Sequence, residues 1–186
     1  QDWTVPVSGI YEFTASGASG FDGTGAGGVG RGATVRGRVA LTRGETITIA
    51  VGQIGEAPRA GTLYGGSGGG TFVVRKSNNQ PLFVAGGGTA ESGAGAGRDG
   101  VLTQLGGTST SGVAAGNPIG FGGLSTGGRS AAGGGFNSPG QAGQNGDFGG
   151  GSFLDGLTMG TNSRGGGYGG FGGGGCLLYT SPSPRD

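Results

Sequence analysis

The stretch ATVRGRVAL at residues 33–41 alternates its side chains without a break. In an extended chain Val35, Gly37, Val39 and Leu41 share one face and Thr34, Arg36, Arg38 and Ala40 the other, because successive side chains point to opposite sides. That predicts a strand with one buried and one wet face. Beyond it, Thr42-Arg43-Gly44-Glu45 reads as a turn, and TITIAV at 46–51 resumes the period of two with Ile47, Ile49 and Val51 inward. The two runs are expected to pair as a hairpin. Upstream, residues 3–7 lead into 9–15, where Tyr11, Phe13 and Ala15 alternate with Ile10, Glu12 and Thr14, which predicts partial cover on both faces. Downstream, 71–75 and 82–85 flank KSNNQP at 76–81, a second expected hairpin with turn-forming Asn and Pro. Helical periodicity is absent throughout.

Glycine sets the remaining constraints. It supplies 55 of 186 residues, with 19 in residues 1–85 and 36 in residues 86–175. No Gly-X-Y repeat with abundant proline runs through the chain, so collagen is excluded. Histidine is absent and Cys176 is the only cysteine, so Ser-His-Asp triads, zinc sites and disulfide frameworks lack their parts. With a net charge of +1 the chain has no broad basic footprint, and no nucleic-acid partner is expected. No apolar run approaches the roughly 20 residues of a membrane span. The expectation is a protein that is not an enzyme and carries no cofactor and no metal.

Residues 86–175 hold only 13 Leu, Ile, Val and Phe, too few for an ordinary core. Glycines recur three apart at Gly140, Gly143, Gly146 and Gly149, at Gly167, Gly170 and Gly173, and at Gly17, Gly20 and Gly23. Three is the period of the polyproline II helix, whose backbone groups point outward. Without a Cβ, such rods approach closely enough to bond to one another, so backbone hydrogen bonding replaces part of the apolar burial. Reversals at Asn117-Pro118 and Ser138-Pro139 would fold the segment into short rods. A flexible glycine-rich linker is the competing reading.

Several motifs fail on context. Gly25-Ala26-Gly27-Gly28-Val29-Gly30 fits the dinucleotide fingerprint, but a strand follows it where a helix is needed. Gly65-Gly66-Ser67-Gly68-Gly69 fits the nucleophile elbow, which needs a histidine base. Gly95-Ala96-Gly97-Arg98-Asp99-Gly100-Val101 is one imperfect copy of a calcium-binding nonapeptide that works only in tandem. The carboxylates Glu45, Glu56, Glu91, Asp147 and Asp155 are scattered singly and read as solvated charges. The candidate binding residues are Arg36 and Arg38: with Arg31 and Arg43 they lie in thirteen residues free of acid, and both sit on one predicted wet face. They form either a small anion-seeking patch or a charged strand face that discourages aggregation. Phe121, Phe136, Phe148, Phe153, Tyr168 and Phe171 punctuate the glycines, as contact residues at loop tips or as pins at rod ends.

The elements Trp3-Thr4-Val5-Pro6, Ser8-Gly9-Ile10-Tyr11, Gly30-Arg31-Gly32-Ala33 and Val51-Gly52-Gln53-Ile54-Gly55 occur in that order, followed by LFVAGGG at 82–88 and glycine runs at 149–154 and 166–175. Together they resemble the glycine-rich extracellular domain of the anaplastic lymphoma kinase and leukocyte tyrosine kinase receptors, including the prokaryotic proteins that share it. The resemblance implies an all-β fold plus polyglycine II: jelly-roll-like β-sandwich elements with a bundle of glycine-rich rods and no helices. It also implies a non-catalytic role outside the cell. The chain lacks the kinase, the membrane span and the cysteines of the receptors, so recognition of their ligands does not carry over, and a prokaryotic or phage surface protein is the better context.

One glycine-rich domain is expected over 1–175, mainly strands in 1–85 and mainly rods in 86–175, truncated at both ends. CLLYTSPSPRD at 176–186 breaks composition and resembles a translated sequencing adapter, an expected artefact tail. The function these readings lead to is a non-enzymatic extracellular binding or scaffold domain whose partner is an unidentified protein or surface glycan. The alternative is the receptor-binding tip of a phage tail fibre. Ice binding would need an unbroken three-residue register, which the chain keeps only over short stretches.

Overall fold

The computed structural model describes residues 1–21, 28–57, 66–89, 97–100, 134–140, 149–160 and 168–170. Six strands form: β1 (Asp2–Thr4), β2 (Gly9–Ser16), β3 (Thr34–Leu41), β4 (Thr46–Ala50), β5 (Thr71–Arg75) and β6 (Gln80–Ala85). They make two antiparallel sheets, one of four strands in the order β1-β4-β5-β6 and one of β2 with β3. No helix occurs among the described residues, and none is long and apolar enough to cross a membrane.

β3 has the alternation expected of it, burying Val35 and Leu41 while Arg36 and Arg38 stay exposed. Its expected hairpin with 46–51 does not form. β3 pairs with β2, from Gly9↔Leu41 to Ser16↔Thr34, whereas β4 lies between β1 and β5. The cause sits at the turn, where the Val5 N–H donates to the Glu45 carbonyl and the Val5 carbonyl accepts from the Gly44 N–H, both at 2.8 Å. These bonds tie the turn to the chain leaving β1, so β4 is delivered beside β1. Leu41 and Ile47 then meet in one apolar cluster from opposite sheets. Alternation fixes the face a strand buries, not whether its successor lies beside it or across the core.

Two smaller expectations also fail. Val51 is 68% exposed, because β4 ends at Ala50 and the Gly52 N–H turns to Thr71 Oγ1 at 3.0 Å. β2 is covered on one face only: Ile10 is 76% exposed, while Ala15 is buried and Tyr11 and Phe13 pack against the core. The second hairpin forms as expected, β5 to β6, with Asn79 in the left-handed region at φ 53° and the Asn78 Oδ1 accepting from the Gln80 N–H. Pro81 is accommodated where the β5–β6 register shifts, on the edge strand of its sheet, the place where a missing N–H costs least.

The two sheets face each other across a cluster built from Ala15, Val35 and Leu41 on one side and Ile47, Val73, Phe83 and Ala85 on the other. Gly37 clears room for this contact, since a Cβ there would stand 2.6 Å from the Phe83 ring. β5 and β6 are also buried on their second face. Phe72, Val74 and Val84 pack there against Phe136, with Phe153 and Leu157 at the margin. Phe136 and Phe153 stack at 5.2 Å, and Phe72 lies 5.4 Å from Phe153. A turn at 152–157 holds Phe153 in place: the buried Ser152 hydroxyl donates to Asp155 Oδ2 at 2.6 Å, and Leu157 N–H closes onto the Ser152 carbonyl at 2.9 Å.

Beyond the sheets, backbone bonds join glycine-rich segments with a spacing of three. Gly17 and Gly20 donate to Ala33 and Gly30. Ala18 and Phe21 donate to Gly69 and Gly66, Gly30 and Ala33 to Thr89 and Gly86, and Gly97 and Gly100 to Gly28 and Arg31. The first three pairs run antiparallel and the last parallel. A β ladder would return to a given side every second residue; these return every third. Close approach leaves no room for a Cβ at particular positions: one on Gly32 would overlap the Gly17 carbonyl, and one on Gly55 the Gly66 carbonyl. Of the line Gly140 to Gly149 only the two ends are described, with the Gly140 N–H bonded to the Gly150 carbonyl at 2.9 Å; Gly143 and Gly146 lie outside the described residues, as do Gly23, Gly167, Gly173 and 176–186.

Candidate binding face

The register of the β2–β3 pair decides what its open face carries. Glu12 stands directly opposite Arg38, and Arg36 is opposite Thr14, one step diagonal to Glu12. Directly opposed and diagonal side chains on one sheet face are within reach of each other. Glu12 Oε1 accepts from Arg36 Nη2 at 2.5 Å and Oε2 from Arg38 Nε at 3.1 Å. The two arginines expected to share a wet face therefore do so, but a carboxylate bridges them. Arg36 and Arg38 remain 69% and 74% exposed, and the row keeps an excess of one positive charge. On one side of it Ser16 Oγ and Thr34 Oγ1 lie 2.9 Å apart; on the other, Ile10 faces Ala40.

The hydrogen bond from Arg36, then that from Arg38, holds the Glu12 carboxyl below its ordinary value. Asp2 is lowered in the same way, first by Lys76 and then by Thr48. Folding thus depresses both values, so the stabilisation is present above the ordinary carboxylate range and is lost as pH falls through the lowered values. Exposed pairs of this kind stabilise little, so the sharper readout is the titration itself. Carbon-detected NMR should place the Glu12 transition below that of an unpaired glutamate, and Arg36→Gln with Arg38→Gln should return it. An unchanged midpoint in the double variant would show that the pairs do not persist in solution.

The other sequence candidates are used structurally. Arg31 and Arg43 donate their backbone N–H groups to Asp99 Oδ1 at 2.6 Å and Ser8 Oγ at 2.9 Å, and neither side chain enters an ion pair among the described residues. Asp99 thereby fixes a loop. Glu45 closes its own turn by accepting from the Thr42 N–H at 3.0 Å and pairs with Arg75, which also bonds Gln80 and the Ala40 carbonyl. That half-buried pair joins the two sheets at the 42–45 turn. Ser67 sits in the three-residue bonding pattern, its carbonyl accepting from Gly170 at 2.9 Å, with β5 following it where an elbow would have a helix. Among the described residues no group of three His, Cys, Asp or Glu could hold a metal.

No known protein family and no curated protein matches the chain. Of the punctuating aromatics, Phe136 is buried and Phe153 packs beside it, so both act as pins; Tyr168 is half-buried, and Phe121, Phe148 and Phe171 lie outside the described residues. Glu12 is the site residue that sequence reasoning missed. Its signal was its parity on β2, uninformative until the register with β3 is known.

Proposed function

We propose that the protein is a non-enzymatic extracellular binding or scaffold domain, in which rods of polyglycine II type brace a jelly-roll-like sandwich and the β2–β3 face meets the partner. The three-residue bond spacing supports the rods, since it is the spacing of a polyproline II helix bonded to fixed neighbours. The face itself carries the reading. Arg36 and Arg38 stand exposed on strands whose other side is locked into the core, so the sheet presents them without having to reorganise. Each spends one nitrogen on Glu12 and keeps others for a ligand carboxylate or sulfate. An acidic glycan or an acidic protein segment fits that chemistry.

Retention on an immobilised acidic polysaccharide tests it. The wild-type chain should elute at a salt concentration that Arg36→Gln with Arg38→Gln lowers clearly, because exposed charges are screened within about 10 Å at 0.1 M salt. Equal retention of the two proteins would reduce the face to a solvated one.

A further inference from the structure

We propose that the outer edge of β2 adds a strand, and that the strand it takes is β2 of a second copy of this chain. In an antiparallel pair, residues alternate between bonding the partner strand and bonding outward. The Gly17 N–H donates to the Ala33 carbonyl, which sets the phase: odd-numbered residues of β2 turn toward β3 and even-numbered ones away. Two further bonds agree with it. The Ser16 carbonyl is turned outward and accepts from Thr71 Oγ1 at 2.6 Å, and on β3 the outward Ala40 carbonyl accepts from Arg75. That leaves the N–H and C=O groups of Ile10, Glu12 and Thr14 as an outward row with no backbone partner among the described residues.

The two edges of this sheet differ in what they admit. Self-pairing of β3 centred on Gly37 sets Arg36 against Arg38 of the copy, and centring on either arginine sets it against itself; centring on Val39 needs the Ala40 carbonyl that Arg75 already holds, and centring on Val35 runs into the end where Ala33 bonds Gly86. Centring β2 on Glu12 would likewise set it against itself, but β2 has two registers free of that clash. Antiparallel pairing centred on Tyr11 sets Ile10 opposite Glu12, and pairing centred on Phe13 sets Thr14 opposite Glu12; neither places like charges face to face. Each Glu12 enters with its charge already held by Arg36 and Arg38. Both registers cover part of Ile10, whose 76% exposure is the largest among the exposed apolar side chains described. The product is one four-stranded sheet across a two-fold axis.

Sedimentation of the full chain from about 1 μM to 1 mM, the range of moderate to weak association, should show a concentration-dependent dimer. Backbone amide exchange on the same samples should slow at Ile10, Glu12 and Thr14 and not at Thr34, Arg36 or Arg38. Thr14→Pro removes an outward N–H and no bond to β3, so it should weaken the dimer at least tenfold while the monomer melts within about 2 °C of wild type. If that variant melts early, Ile10→Pro repeats the test at the next outward amide. A monomer at the highest concentration, slowing confined to the β3 edge, or a dimer indifferent to a proline variant that folds normally would each overturn the proposal; the exchange pattern decides between the edges even if both variants unfold.

Discussion

Gly32→Ala lowers the melting temperature by roughly 6–12 °C, whereas Gly9→Ala leaves it within about 2 °C. Both substitutions add one methyl group and remove the same unfolded-chain freedom, which alone would stabilise by about 0.4–1 kcal/mol. Their surroundings differ completely. A Cβ at Gly9 meets nothing within 4 Å, but one at Gly32 overlaps the carbonyl group and Cα of Gly17. The clash is backbone against backbone, so no rotamer change relieves it. Residues 17–20 and 30–33 are held by the bonds Gly17 to Ala33 at 2.9 Å and Gly20 to Gly30 at 3.0 Å, and Ala33 bonds onward to Gly86. Separating the segments breaks two or three such bonds at about 1 kcal/mol each, giving a cost of about 3 kcal/mol. Circular dichroism melts of the two variants check this. Equal melting temperatures would mean that the glycine-rich segments touch without holding one another.

The strands were legible because each carries its own apolar pattern. Val35 to Leu41 alternates at period two and so marks its buried face, 71–75 and 82–85 are short continuous apolar runs buried on both faces, and Asn78 and Asn79 mark the reversal between β5 and β6. Pairing was less legible. What sends β4 to β1 is a pair of backbone bonds to Val5, forty residues upstream of the turn, and backbone groups leave no trace in side-chain patterning. Glu12 was hidden for the same reason: it reaches Arg36 and Arg38 only through a register that has Gly9 opposite Leu41.

The spacing of Gly17 and Gly20 matches the spacing of the bonds they make, but it does not name the segments that receive them. Gly17 and Gly20 bond one neighbour while Ala18 and Phe21 bond another, so the residues between the glycines carry rungs as well. Side-chain identity marks where two backbones come too close for a Cβ; it does not say which segment is close. The contacts of Gly97 and Gly100 with 28–31 run parallel while those of Gly17 and Gly20 with 30–33 run antiparallel, a choice on which glycine, having no side chain, is silent.

Phe136→Ala should destabilise the whole fold by about 3 kcal/mol, in the range for emptying a buried aromatic site, with a single unfolding transition. Phe136 is buried although its own segment, 134–140, is glycine-rich and has no other large apolar side chain. Its ring stacks on Phe153 at 13° and lies 6.4 Å from Phe72, which stands on β5 in the middle of the four-stranded sheet. Truncating it uncovers Phe72, Val74 and Val84 on the sheet's second face together. The segment's backbone is tied in as well: Phe153 donates to Gly135 at 3.0 Å and Gly140 to Gly150 at 2.9 Å, bonds whose geometry depends on the rings staying seated. Phe72→Ala calibrates the measurement, since it empties the same cluster from the sheet side and should cost about 4 kcal/mol. Hydrogen exchange read alongside thermal melting separates the two possible outcomes. If Phe136→Ala speeds exchange at Gly140, Gly151 and Phe153 while β5 and β6 keep their protection and melting temperature, the glycine-rich segment is an appendage on a self-sufficient sandwich. If all fail together, the sheet depends on the aromatic rings that the glycine-rich segments press against it.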